Sequence, residues 1–271
     1  MACPRASGAR HGSGRPAVSA VAADTLAGMS DIAPRILQSL AAVDAERQRR
    51  AAAPALAAGV GALKAYQQAR FERTHADLFD HPRYGAAARF FVDELYGPQD
   101  FAQRDAQFGR IVPALVRLFP EDIVETVEAL AAVHALSERL DSTMATRLNG
   151  TAPTRMAYTR AWQATGEPAS RMRQLELVMR IGTSLDRHTR SLVLRASLKA
   201  MRGPARAAGL GALQAFLEAG FDAFGTMRGA REFLATIRTR ETTLAQRLFD
   251  PAAVAAATSP LASDDPLAWL P

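Results

Sequence analysis

The residues of this 271-residue chain best suited to chemistry fall into two polar groups. In the segment 121–148, Ile123, Val127 and Leu130 recur at helical spacing, and His134 continues their stripe, followed by Glu138 and Asp141. A histidine and two carboxylates on a face that should be buried can form a polar pocket, with Glu138 raising the pKa of His134 and fixing its tautomer. The same trio, joined by Arg104, suits general acid and base catalysis. The simpler reading is a core histidine satisfied by its own helix or by a neighbouring arginine, because buried polar groups find partners whether or not chemistry occurs.

The second group is Tyr96, Asp100, Arg104 and Asp105, within FFVDELYGPQDFAQRDAQF at residues 90–108. Gly97-Pro98 breaks a helix there, Asp100 is placed to cap the next one, and an Asp100 to Arg104 ion pair is one turn long. Asp105 is then free to anchor another helix. With His134, these four are the candidate ligand-binding residues. A third pattern, Glu72-x-x-His75, matches the spacing by which helical bundles hold paired metal ions, but it has no second copy. It reads as an exposed polar pair, and no metal site or cofactor is assigned.

The elements that must position these residues are helices. Apolar residues recur at helical spacing beyond Met29, while β-branched runs with period-two alternation are missing. The fold class is all-α, a globular bundle of about eight or nine helices. Their expected limits are Asp31 to Arg50, Pro54 to Phe79, Pro82 to Tyr96, Asp100 to Phe119 with a kink or split at Pro113, and Glu121 to Leu148 closed by Asn149-Gly150. Then follow a short helix capped by Thr154 and ended by Gly166, one from Glu167 to about Leu185, one from Arg190 to Met201, one from Pro204 to Met227, and one from Gly229 to Phe249. A candidate subdomain boundary falls near 149–154. Residues 1–28 read as a leader outside the fold or a mis-assigned start, with Met29 as the initiator. Residues 251–271 read as a flexible tail whose Leu267, Trp269 and Leu270 fray or dock back on the body.

Composition bounds the function classes. Of 33 basic residues only Lys64 and Lys199 are lysine, and Arg alternates with Glu and Asp in REFLATIRTRETTLAQR, which reads as a solvated helix face. That pattern does not suit nucleic acid, for which cations would cluster on one face. Cys3 is the only cysteine, so no disulfide forms within the chain, and the expected compartment is a reducing cytoplasm. No apolar run is long enough to span a membrane. Residues 201–230 are rich in Gly and Ala, and Ala205, Gly209, Ala212 and Gly220 let another helix approach closely, within the bundle or across a homodimer.

The stretch FFVDELYGPQDFAQRDAQF, with GLGALQAFLEAGFDAFGTMRGAREFLATIRTRETTLAQRLF, resembles an uncharacterised family of bacterial all-helical proteins, over about Tyr66 to Phe249. The resemblance implies a soluble helical domain and carries over no catalytic or binding residue. The expected function is therefore non-enzymatic, acting through a protein partner or self-association. The alternative is a small apolar or lipid-like ligand held between helices, with His134 and Glu138 at its polar end. A hydrolase- or lyase-type enzyme using His134, Glu138 and Asp141 comes third.

Overall fold

A computed structural model describes residues 18–271 apart from Pro98 and Asp100, with residues 18–30, Leu95 and Tyr96 described as backbone only. Among the described residues the chain is all-α, without strands. Its helices are α1 (Val18–Ala51), α2 (Pro54–Thr74), α3 (Ala76–Asp80), α4 (Gly85–Phe90), α5 (Ala102–Leu118), α6 (Glu121–Leu148), α7 (Arg155–Thr165) and α8 (Pro168–His188). They continue as α9 (Leu192–Ala200), α10 (Arg202–Ala207), α11 (Gly211–Met227), α12 (Arg231–Phe249) and α13 (Ala253–Ala256). A π-helical segment, Phe91–Tyr96, extends α4, and a 3-10 turn, Pro266–Trp269, lies near the C-terminus. No described helix is long and apolar enough to cross a membrane.

Local chemistry accounts for several ends. Asn149 and Gly150 take left-handed backbone angles after α6, and the Asn149 N–H donates to the Ala145 carbonyl at 3.2 Å. Thr154 caps α7, its hydroxyl oxygen accepting from the Ala157 N–H at 3.3 Å. Gly209, with φ of 69°, divides α10 from α11, where a single helix was expected from Pro204. It is therefore a hinge between helices, not part of a small-residue packing face. Gly220 does serve close approach, because a Cβ there would stand 3.0 Å from the Phe90 ring. The expected helix through Phe79 is interrupted at His75, and α5 runs through Pro113 unbroken. These interruptions, with the short α13 in the C-terminal segment, raise the number of helices among the described residues above eight or nine. The first helix begins at Val18, well before Asp31.

Hydrophobic burial holds the bundle together. One cluster joins Phe71 of α2, Phe90 of α4, Phe216 and Phe224 of α11, and Phe233 and Ile237 of α12. A second joins Leu63 and Tyr66 of α2, Met144 and Leu148 of α6, Tyr158 of α7, and Leu244 and Leu248 of α12. A smaller one seats Ile32 and Ile36 of α1 against Val112 of α5 and Val124 of α6. Each such side chain contributes about 1.5–3 kcal/mol when taken from water. The second cluster mixes residues from both sides of 149–154, so the two sides share one core.

The C-terminal segment, expected to fray, is packed instead. Leu267 and Leu270 are fully buried in the second cluster, Arg247 pairs with Asp265 at 3.0 Å, and the Tyr66 hydroxyl donates to the Pro271 carbonyl at 3.3 Å. The physical reason is amphipathic. Asp265 caps the 3-10 turn by accepting from the Leu267 N–H at 2.9 Å, which aims Leu267 inward.

Candidate functional site

α6 carries a polar strip through the bundle. Its neighbours are α1, α2, α5, α7 and α8, and each of these helices except α7 supplies a polar partner to the strip. His134 lies 2.8 Å from Asp105 of α5, Nε2 to Oδ2, and Asp105 also pairs with Arg47 of α1. One turn on, Ser137 accepts from Gln174 of α8 at 2.7 Å. Glu138 sits between Lys64 of α2, at 2.5 Å, and Arg50 of α1, which also donates to the Ser142 hydroxyl at 2.8 Å. Asp141 accepts from the buried amide of Gln67 at 3.3 Å.

Burial and pairing set the charge of each carboxyl. Burial alone would raise Asp105, but the His134 hydrogen bond and the Arg47 charge reverse the shift and hold it at about 2. Burial likewise opposes the charge of Glu138, and Lys64 and then Arg50 outweigh it, leaving that carboxyl below the usual range. At Asp141 burial wins: the carboxyl is raised, because the Lys64 and Arg171 charges offset only part of the desolvation.

A second buried group lies on α2 and α12. Glu241 pairs with Arg70 and lies 2.9 Å from the Nε2 of His75, a fully buried imidazole. Burial opposes the Glu241 charge, but Arg70 and then the His75 hydrogen bond hold its pKa at about 2. The same burial lowers the pKa of His75, so the neutral ring donates from Nε2. The sequence reading of Glu72 and His75 as an exposed pair is thus corrected. Glu72 is exposed and accepts from Gln68, whereas His75 faces the interior. Glu241, read as part of a solvated face, is instead half-buried and turned toward Arg70 and His75, since it follows Phe233 and Ile237 along the buried stripe of α12.

His134, Ser137, Glu138 and Asp141 of α6, with Lys64, Asp105 and Gln174 and the Arg70–Glu241 pair, border one cavity of about 220 Å³. Its walls are mainly apolar, with Phe91, Phe108, Leu130, Leu175, Phe216 and Leu244 among them, and Lys64, Arg70, Arg104, Asp105, His134, Glu138, Asp141, Arg171 and Glu241 enter the same surface. Arg104 is held between aromatic rings, its guanidinium carbon 4.0 Å from the Phe101 centroid and 4.4 Å from that of Phe216. It donates to the Glu94 carbonyl in the π-helical segment at 2.7 Å, satisfying an acceptor that the altered helix leaves open. Burial lowers its pKa, Asp105 and Glu94 act against that shift, and the guanidinium stays charged.

Of the residues singled out from sequence, Arg104, Asp105, His134, Glu138 and Asp141 line this cavity together. Asp100 and the Tyr96 side chain lie outside the described residues, and the position before α5 is Phe101. The expected partnership is corrected in one respect: Asp105, not Glu138, holds the His134 ring, because Glu138 is drawn between two cations. Sequence reasoning missed Arg50, Lys64, Arg70, Arg171 and Glu241. For Arg70, Arg171 and Glu241 a signal exists, since each interrupts an apolar stripe at helical spacing, as Arg171 does ahead of Leu175, Val178 and Gly182.

Fold and site together define a helical bundle with a charged strip along an apolar cavity. The chain belongs to the family described as Domain of unknown function (DUF8198), whose model matches residues 46–254. That range contains every ionic group of the strip, from Arg47 to Glu241, and ends before the docked C-terminal turn. No curated protein and no solved structure matches the chain.

Proposed function

We propose that the protein holds a small amphipathic molecule inside the bundle, its apolar part in the cavity and its polar end against the α6 strip. The observation that carries this reading is the cavity of about 220 Å³. A purely apolar cavity of about 150 Å³ already accommodates benzene. Apolar walls with a few convergent polar groups are the usual composition of a ligand site. The charge states favour holding over proton transfer: Asp105 and Glu138, both below the ordinary carboxylate range, are weak proton acceptors. Native mass spectrometry of freshly purified protein tests the reading by revealing a retained small adduct. A bare mass in repeated preparations, together with an experimental structure whose side chains fill the cavity, refutes it.

A second reading, association through a helix face, is favoured by α9. It has no buried residue, and Leu192 and Val193 are 82% and 75% exposed. Size-exclusion chromatography with light scattering counts the subunits, and a strict monomer at high concentration counts against self-association.

A further inference from the structure

We propose that the guest of this cavity is a small monocarboxylate whose head group is bound by Arg171 and Trp162, an assignment that rests on the ligand-holding reading above. Most buried charges around the cavity already answer one another: Glu138 with Arg50 and Lys64, Asp105 with Arg47, Glu241 with Arg70. Arg171 is the exception. It lines the cavity at 4% exposure, and no carboxylate of the described residues lies within 4 Å of it. Its neighbours are neutral: the Gln174 side-chain carbonyl at 3.3 Å, the Met144 sulfur at 3.7 Å, and the Trp162 ring, 4.1 Å from guanidinium carbon to centroid. Asp141 and Glu167 feel this charge from beyond 4 Å but bond to Gln67 and Arg139 instead, and a buried cation whose bonding partners are all neutral is an expensive arrangement that an anion relieves.

The second observation is independent of the first. Trp162 lines the same cavity at 9% exposure, and its indole N–H is buried without an acceptor among the described residues. Buried donors are nearly always satisfied, so this N–H marks a place for an acceptor oxygen. The guanidinium is stacked on the indole ring, so its remaining N–H donors and the indole N–H belong to one wall of the cavity. A planar carboxylate suits them, one edge against the fork and the remaining lone pairs toward the indole. Asp141 does not supply the missing anion, since its carboxylate lies beyond 4 Å of the guanidinium and accepts from Gln67. One guanidinium balances one charge, which favours a monocarboxylate over a phosphate dianion. Met172, Leu175, Leu244 and Leu248 line the adjoining wall and receive the apolar remainder, of a size set by the 220 Å³ void.

The test is isothermal titration calorimetry of the full chain with benzoate and with benzyl alcohol, which share a ring and differ in the charged group. Benzoate should bind at least about tenfold more tightly than the alcohol, by the strength of hydrogen bonds to a charged partner. Arg171→Met should remove that advantage while alcohol affinity stays within about twofold, and Arg171→Lys should keep part of it. Trp162→Phe, which preserves the ring and deletes the N–H, should weaken benzoate selectively, and it decides the matter if Arg171→Met does not fold by circular dichroism. Equal affinities for the two probes, or benzoate binding unchanged in the variants, overturns the carboxylate assignment and leaves cavity binding intact. Failure of both probes to bind overturns the cavity reading along with it.

Discussion

Replacing Glu138 by Gln keeps the shape of the side chain and removes only its charge, so it isolates what the carboxylate does between Lys64 and Arg50. Those side chains are 13% and 12% exposed, and Glu138 itself 7%, so solvent screens the three only weakly. Breaking a buried pair by neutralising one partner costs about 3–5 kcal/mol, because the cost of the stranded charge is added to the lost attraction. The two cations keep some access to water, which places Glu138→Gln near the lower bound, about 3 kcal/mol. For a domain of this size that is a fall of roughly 6–12 °C in Tm. Urea unfolding followed by helical circular dichroism measures it, with Lys64→Met added to the same background. The second substitution removes one stranded cation, so the double variant should be less destabilised than the two single losses added together, by about 1 kcal/mol or more. A loss under about 0.5 kcal/mol for Glu138→Gln, or strict additivity in the double variant, refutes the argument.

Stability should fall in acid. Asp105 and Glu241 are each held at about 2, below their ordinary values of 3.8 and 4.5, so the stability they lend is present above those values and is lost as the pH falls toward 2. The full loss is on the order of 2.5 kcal/mol for Asp105 and 3.5 kcal/mol for Glu241, and His75, whose pKa burial lowers, adds a further loss below about pH 6.5. Urea midpoints that match at pH 7 and pH 3 contradict this. Leu267→Ala should cost about 2–5 kcal/mol, since the side chain is fully buried, and an unchanged denaturation midpoint would show that the C-terminal turn lends nothing. Leu192→Ser with Val193→Ser should change stability by less than about 0.5 kcal/mol, while any oligomer seen by light scattering shifts toward monomer.

The helical class and the ends at Asn149, Thr154 and Gly229 were readable because the residue types there act on their own backbone. The π-helical segment at Phe91–Tyr96 was not, since a wider helical turn depends on what packs against it, and Arg104 bonds to it from the next helix. The α6 half of the site was visible as polar residues on an apolar stripe. Part of its cationic half was hidden by abundance: with arginine on most helices, Arg50 looks no different in sequence from the exposed Arg187. Asp105 could be named as an anchor, but its partners Arg47 and His134 follow only from three helices meeting.

The bond between Tyr66 and Pro271 joins residues 205 positions apart. During synthesis at about 5–20 residues per second, some 10–40 s separate the emergence of one from the other. For that interval the wall around Leu63 and Tyr66 lacks Leu267 and Leu270, leaving a greasy flank on the nascent chain that a chaperone can hold and a ribosome-bound intermediate must tolerate. Completion of this bundle is therefore a late, long-range event, slower than its local helices alone would suggest.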